Sequence, residues 1–196
     1  MKGIIIYEIL IPSLQKMYRR DFDNIRFGVS ERNICARLAH HMENVMHQYD
    51  RTHDSTIFKN YFADVEYNRM GDGYLKHFEN SEHKPQYMVS DILIQTRGYD
   101  RNLLAVEMKR KGNYRNVRED KERLKSLVSS PTNYNLSTRC VHDTLIGAFI
   151  TYSPIDVKVE IFENINGTGQ KTNELYFICT QHDGIGYLVS TNNNTI

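Results

Sequence analysis

The segment Ser90–Lys111, SDILIQTRGYDRNLLAVEMKRK, decides the architecture that this sequence predicts. Its apolar runs, Ile92–Ile94 and Leu103–Val106, indicate two short strands, and the polar residues Arg97–Asp100 between them indicate a turn. If the two strands pair as an antiparallel hairpin, Asp91 at the start of the first strand lies beside the end of the second.

Three charged side chains are expected to meet at that end of the hairpin. Glu107 and Lys109 point to one face and Met108 to the other, because side chains alternate along a strand. Two carboxylates held close together, here Asp91 and Glu107, repel each other, and a hard divalent cation relieves that repulsion. The lysine adds a positive charge of the kind that stabilises a phosphodiester transition state. The pattern therefore predicts a Mg²⁺ site for phosphodiester chemistry.

The composition fits a single globular domain over residues 1–196. The chain is 40% hydrophobic and 25% charged, which is ordinary for a soluble protein with a sizeable core. Its net charge of +1 excludes a general polycation, yet the span from Arg97 to Lys125 holds ten basic and five acidic residues. A local basic segment beside the candidate site fits an anionic substrate, with a solvated helix face as the alternative.

The cysteines and the amino-terminal residues bear on location. Cys35, Cys140 and Cys179 are scattered without metal-pair spacing, which indicates reduced thiols in a cytoplasmic protein. The apolar segment near the start is interrupted by Glu8 and Pro12 and is too short for a signal or a membrane span. We therefore expect no membrane partner.

Periodicity and turn residues predict further elements around the hairpin. Ser30 is a suitable N-cap, and Glu31 suits the first turn of the helix that follows. The first 29 residues are assigned only a polar connector over 19–24. The predicted elements are a helix over 30–49, a strand over 63–69, a helix over 116–129, a strand over 145–152 and further strands over 156–190. The fold class is therefore α/β.

This order of elements resembles the restriction-endonuclease-like superfamily, also called PD-(D/E)xK nucleases. An acid on the second strand, Asp91, precedes the acid-x-Lys sequence Glu107–Lys109 on the third, and Glu31 lies on the first helix. The phrases DVEYNR and SDIL…NLLAVEMK are also similar to those of uncharacterised bacterial members. The resemblance covers about residues 30–152 and implies an αβββαβ core whose mixed central sheet is flanked by helices, extended here by C-terminal strands. Ser90 stands where the family name has proline, a position that carries no chemistry.

The resemblance also implies a set of roles. Asp91, Glu107 and the backbone carbonyl of Met108 would bind Mg²⁺, for which Mn²⁺ can substitute. Glu31 would reach the metal through water, and Lys109 would hold the attacking water. The implied reaction is hydrolysis that leaves 5′-phosphate and 3′-hydroxyl ends. DNA is the favoured substrate, in restriction, phage defence or mobile-element biology.

Basic residues on and before the second helix are expected to follow the phosphate backbone of the nucleic acid without reading its sequence. Glu66 is a candidate further acid, with a structural pairing to Arg69 or to a basic helix residue as the alternative. The expected nucleic-acid contacts are Arg110, Lys111, Arg115, Arg118, Lys121 and Lys125.

Two other functions fit the same residues. The first is an RNA-cleaving nuclease, and the second is a nuclease fold kept as a non-catalytic binding or assembly module. Retention of Asp91, Glu107 and Lys109 favours an enzyme over the second alternative. The tyrosine-rich strands over 156–189 are a candidate edge for a homodimer, by analogy with the superfamily.

Overall fold

A seven-stranded mixed sheet lies at the centre of the computed structural model, which describes residues 1–66, 77–79, 85–87, 89–96, 102–130 and 144–191, the two short ranges 77–79 and 85–87 by their backbone alone. The predicted turn over 97–100, the end of the predicted strand over 67–69 and Cys140 lie outside these residues. The strands are β1 (Tyr61–Val65), β2 (His77–Glu79), β3 (Pro85–Tyr87), β4 (Ile92–Thr96), β5 (Asn102–Arg110), β6 (Ile146–Tyr152), β7 (Asp156–Ile165), β8 (Thr168–His182) and β9 (Ile185–Ser190).

The helices lie before and between these strands. A π-helical segment, Ile4–Leu10, runs directly into the first α-helix, and the side chain of Ser30 accepts a hydrogen bond from the Asn33 N–H, which confirms the predicted N-cap. The α-helices are α1 (Ile11–Arg20), α2 (Phe22–Phe27), α3 (Glu31–Thr52) and α4 (Val117–Val128). None of the helices in the described ranges has both the length and the apolar composition needed to cross a membrane.

The sheet has the order β1-β4-β5-β6-β7-β8-β9, and β2 and β3 form a separate pair. Strands β4 and β5 are antiparallel with Ile92 opposite Val106, which confirms the predicted hairpin. Strand β6 runs parallel to β5, and α4 makes the crossover that a parallel pair requires. The remaining neighbours are antiparallel, so the predicted mixed sheet is confirmed.

Helices cover both faces of the sheet. Alternate residues of β5 belong to two separate cores: Val106 and Met108 pack with α1 and α3, whereas Ala105 packs with α4 and with Phe149 of β6. The predicted α/β class, with helices flanking the sheet and extra strands at the C-terminal end, is confirmed. Strand β9 is one edge of the sheet and lies in the segment predicted as a dimer edge, which stays a prediction.

The polar connector expected over 19–24 is wrong, because α1 and α2 occupy these residues and only Asp21 interrupts them. The reason is a tertiary contact that the sequence does not display. Asp21 is buried, and its two carboxylate oxygens accept hydrogen bonds from Arg37 and His41 of α3, each at 2.6 Å. A polar side chain that reads as solvated is thus a buried anchor between helices.

Strand β8 approaches α4 so closely at Gly169 that no side chain fits. A Cβ built there overlaps the carbonyl oxygen of Lys125 in the last turn of α4. We predict that Gly169→Ala lowers the free energy of unfolding by about 1–3 kcal/mol, as overpacking does, measured by urea denaturation. Gly3→Ala is the matched control, because a Cβ there meets nothing within 4 Å. Equal urea midpoints for both variants would show that the close approach of α4 to Gly169 does not affect stability.

Candidate active site

The register of β4 and β5 brings two carboxylates together at one end of the sheet. The paired register ends with Ile92 opposite Val106, so one residue beyond it Asp91 is expected opposite Glu107 on the same face. Residues opposite each other in an antiparallel pair have Cβ atoms about 4.5–5.5 Å apart. Asp91 is half-buried and Glu107 is 1% exposed, so this carboxylate pair is largely shielded from water.

A backbone hydrogen bond fixes the position of Asp91. The Met108 N–H donates to Asp91 Oδ2 at 2.7 Å. The N–H and C=O of one residue in a strand point to the same side, so the Met108 carbonyl also faces Asp91. The Met108 side chain is buried in the core beside α3, on the face opposite Glu107, as the alternation predicted.

Helix α4 contributes two residues that sequence reasoning missed. Arg123 Nη1 lies 2.6 Å from Glu107 Oε1, and Arg123 Nη2 lies 3.2 Å from Asp120 Oδ1. Asp120 is itself buried. The only signal in the sequence is their i, i+3 spacing, which puts them on one helix face. The same spacing occurs throughout this charged helix, so it does not single them out.

Lys109 lies between two acids from different helices. Its Nζ is 3.2 Å from Asp120 Oδ2 and 3.9 Å from Glu31 Oε2. Burial alone would lower the pKa of Lys109, but the charges of Asp120, Asp91 and Glu31 and the hydrogen bond with Asp120 outweigh it and raise the pKa above its usual range. Lys109 is therefore protonated at neutral pH.

Glu31 is held at this end of the sheet by the segment that follows β5. Its Oε1 accepts hydrogen bonds from Asn113 Nδ2 at 2.7 Å and from the Arg110 N–H at 3.3 Å. The structure therefore brings all four predicted acid and base residues, Glu31, Asp91, Glu107 and Lys109, to one place.

Glu66 follows β1 directly and lies beside Asp91 along the backbone. Its N–H donates to the Asp91 carbonyl at 3.2 Å, and its own φ of 51° is left-handed, a conformation that costs a non-glycine residue about 1 kcal/mol or more. Its carboxylate lies 3.3 Å from Arg32 Nη2 of α3. Arg32 is a basic helix residue, one of the two kinds of partner expected for Glu66, and the other, Arg69, lies outside the described residues. A role for Glu66 as a further acid stays a prediction.

Among the described residues, carboxylates outnumber cations in the site. Four carboxylates, Glu31, Asp91, Glu107 and Asp120, lie near two cations, Lys109 and Arg123. Burial raises the pKa of Asp91, although the Met108 N–H and Lys109 partly offset it. Burial also raises the pKa of Glu107 well above its usual range, and the charge of Arg123 does not cancel the effect. The cluster therefore favours added positive charge.

The donor set fits a hard cation bound by few protein ligands. Within the described part of the chain, no three His, Cys, Asp or Glu side chains are grouped so as to hold a metal ion. Mg²⁺ commonly takes only one or two carboxylates, with water and substrate phosphate completing its shell. Asp91 and Glu107 are such a pair of carboxylates, and a divalent cation would neutralise their excess negative charge.

Three lysines among the predicted nucleic-acid contacts form ion pairs within the protein. Lys111 pairs with Asp156, Lys121 pairs with Glu160, and Lys125 Nζ lies 2.8 Å from Glu122 Oε1. Lys121 also lies 4.8 Å from the ring centre of Phe149, so it points along the sheet. The guanidinium of Arg110 rests against Gly28.

Arg115 and Arg118 are exposed, and neither forms an ion pair with another described residue. Tyr114, which precedes them, is 83% exposed. These side chains follow Asn113, the residue that contacts Glu31, so they are connected to the rim of the site. They are members of the predicted basic set that are exposed and form no ion pair with another described residue.

Comparisons with models of protein families, with curated proteins and with solved structures find no match for this chain. Its function is therefore inferred from the geometry of this site.

The raised pKa values predict how the metal-free stability depends on pH. A carboxyl group whose pKa is higher in the folded state binds more protons there than in the unfolded chain, so the free energy of unfolding falls as pH rises from the usual carboxyl range near 3.8 through the raised pKa. Asp91→Asn removes the buried charge and keeps an acceptor for Met108. We expect Asp91→Asn to melt about 2–4 °C above wild type at pH 7 in EDTA, a gain of about 1 kcal/mol.

The difference in melting temperature should shrink as pH is lowered toward 4, because the wild-type carboxyl group then becomes neutral as well. Thermal melts followed by circular dichroism across this pH range measure it. A wild-type protein that is more stable than Asp91→Asn at pH 7 would contradict the electrostatic account of the pair.

Proposed function

We propose that this protein is a metal-dependent nuclease that hydrolyses phosphodiester bonds, with DNA as the favoured substrate. The observation that carries the proposal is the meeting of Asp91, Glu107 and Lys109 at one end of β4 and β5. Two shielded carboxylates and one ammonium group are the combination that metal-assisted phosphodiester hydrolysis needs.

Asp91 and Glu107, with the Met108 carbonyl, would hold Mg²⁺ or Mn²⁺. Such an ion, when bound, lowers the pKa of a bound water and polarises the phosphodiester. Met108 contributes through its backbone, whose N–H already fixes Asp91 Oδ2 at 2.7 Å. The protein's part is therefore to hold two oxygen donors at a defined spacing on a rigid strand pair.

Lys109 would serve as a hydrogen-bond donor and not as a general base, because its pKa is raised despite its burial and it keeps its proton. Its ammonium group is oriented by Asp120 and Glu31 from two helices. In this position it would hold the attacking water and stabilise negative charge that develops on the phosphate oxygens. The resemblance to the superfamily implies 5′-phosphate and 3′-hydroxyl products.

The order of elements supports a place in the restriction-endonuclease-like superfamily. Helix α3, strands β1, β4 and β5, helix α4 and strand β6 follow one another with the acids on α3, at the start of β4 and at the end of β5. Strands β2 and β3 would be an insertion, and β7–β9 an extension of the sheet. A role in restriction, phage defence or mobile-element biology is the setting that we propose.

Cleavage assays test the proposed reaction directly. We expect wild-type protein to cut duplex or single-stranded DNA with Mg²⁺ or Mn²⁺ and not in EDTA. Asp91→Ala and Lys109→Ala should each lower the rate by at least about 100-fold, the size of effect expected for a charge-stabilising group. Gel analysis of supercoiled plasmid, linear duplex, single-stranded DNA and RNA, with each metal, gives the measurement.

If the protein prefers RNA in the same assay, the proposed substrate changes from DNA to RNA and the proposed reaction stands. Cleavage that survives both substitutions, or no cleavage of any substrate, would contradict the proposed function. Arg51→Ala is a suitable folded control, since Arg51 is exposed at the far end of α3, about 30 Å of helix away from Glu31.

Exposed arginines before and on α4 predict a salt-dependent contribution to binding. We expect Arg115→Ala and Arg118→Ala each to weaken duplex binding and to reduce the slope of log affinity against log salt by about 1. The control Arg51→Ala should leave the slope at its wild-type value. Fluorescence anisotropy in EDTA measures binding without cleavage, and unchanged slopes for both variants would exclude this path for the nucleic acid.

A further inference from the structure

Among the described residues, the guanidinium of Arg123 contacts three acceptors, of which one belongs to the candidate metal ligands. It donates from Nη1 to Glu107 Oε1 at 2.6 Å and to the Val89 carbonyl at 3.0 Å, and from Nη2 to Asp120 Oδ1 at 3.2 Å. The Arg123 side chain is 20% exposed, whereas that of Glu107 is 2% exposed. The contact with Glu107 is therefore largely shielded from solvent.

This arrangement creates a competition for one carboxylate. A divalent cation held by Asp91 and Glu107 would lie within a few ångströms of the Arg123 guanidinium, and like charges in a partly buried site repel strongly. Glu107 has a second carboxylate oxygen, so the competition is one of charge and not of a single donor atom. Repulsion between the two cations would either weaken metal binding or displace Arg123 from Glu107.

We propose that Arg123 is an exchangeable internal cation, which neutralises Glu107 in the metal-free protein and releases it when a divalent cation binds. The inference rests on the proposed function, because it takes Glu107 to be a metal ligand. It makes Arg123 a positioning residue that sets metal affinity and holds the empty site together.

Two further contacts of Arg123 with described residues lower the free energy needed for this exchange. Asp120 and the Val89 carbonyl are acceptors outside the carboxylate pair, so the guanidinium can stay hydrogen-bonded after it leaves Glu107. Asp120 also faces Lys109 at 3.2 Å, which keeps its position on α4 independent of Glu107. The exchange then needs a side-chain rotation and no movement of a strand or helix.

A purely structural ion pair predicts the opposite response to substitution. If Arg123 only orients Glu107 for the metal, its loss should weaken metal binding, as the loss of an outer-shell partner generally does. If Arg123 competes with the metal, its loss should strengthen metal binding. The sign of the change therefore separates the two roles.

The test is Mn²⁺ binding to the full chain by isothermal titration calorimetry. We expect Arg123→Gln to bind Mn²⁺ about tenfold more tightly than wild type, a change of the size that second-shell residues produce. Arg51→Gln is the control, since it removes one positive charge from an exposed position at the far end of α3. Its affinity should stay close to the wild-type value, and Glu107→Gln should lose binding.

Thermal melts give a second readout that does not depend on activity. Without metal, Arg123→Gln leaves Glu107 buried and unpaired, so the variant should melt below wild type in EDTA. Added Mn²⁺ should raise its melting temperature by more than it raises that of wild type. A variant that is unfolded in EDTA and folded in Mn²⁺ would be the strongest form of this result.

Three outcomes would overturn the exchange: equal or weaker Mn²⁺ affinity of Arg123→Gln, an equal or smaller rise in its melting temperature, or a variant that stays unfolded in both conditions. Failure of the proposed function looks different, because then neither wild type nor Arg123→Gln binds Mn²⁺. Binding by wild type that Glu107→Gln abolishes and Arg123→Gln leaves unchanged would remove the exchange and keep the metal site.

Discussion

The pairing of Asp91 with Glu107 across β4 and β5 is the constraint on which the rest of the site depends. The strand register fixes the two carboxylates side by side, and the Met108 N–H holds one of them. Burial disfavours the charged form of both carboxyl groups and so raises the pKa of each. Two cations lie close to this negative charge. Arg123 of α4 contacts Glu107, and Lys109 lies two residues further along β5 on the same face. The cations of the site thus lie around the buried negative charge of this carboxylate pair.

Local patterns were sufficient to predict the strand pairing and the side-chain faces at the candidate site. Apolar runs and a polar turn predicted the hairpin, and alternation within β5 assigned Glu107 and Lys109 to one face and Met108 to the other. These features depend on neighbours along the chain and on one short pairing, so composition and spacing reveal them. Ser30 is a similar case, because an N-cap depends on residues within one helical turn.

Tertiary pairing of charged side chains could not be found in the same way. Asp120 and Arg123 look like solvated helix residues, yet they contact Lys109 and Glu107 because α4 packs across the end of β5. Asp21 reads as part of a polar connector and is buried against α3. Lys121 pairs with Glu160 on β7, a partner that its place on the helix does not reveal, and its contact with the phosphate backbone stays a prediction. In each case the partner is distant in sequence, so no local pattern identifies it.

The unbalanced charge of the site has to be supported by the rest of the fold. Among the described residues of the site, four carboxylates lie near two cations, and Glu66 beside Asp91 has a left-handed backbone. Both features work against folding. Such costs persist where surrounding structure fixes the local geometry. Here β5 is held between β4 and β6 and is packed by a separate core on each face. The seven-stranded sheet therefore stabilises an arrangement that would be unfavourable on its own, and a bound cation would recover part of that cost only in the folded state.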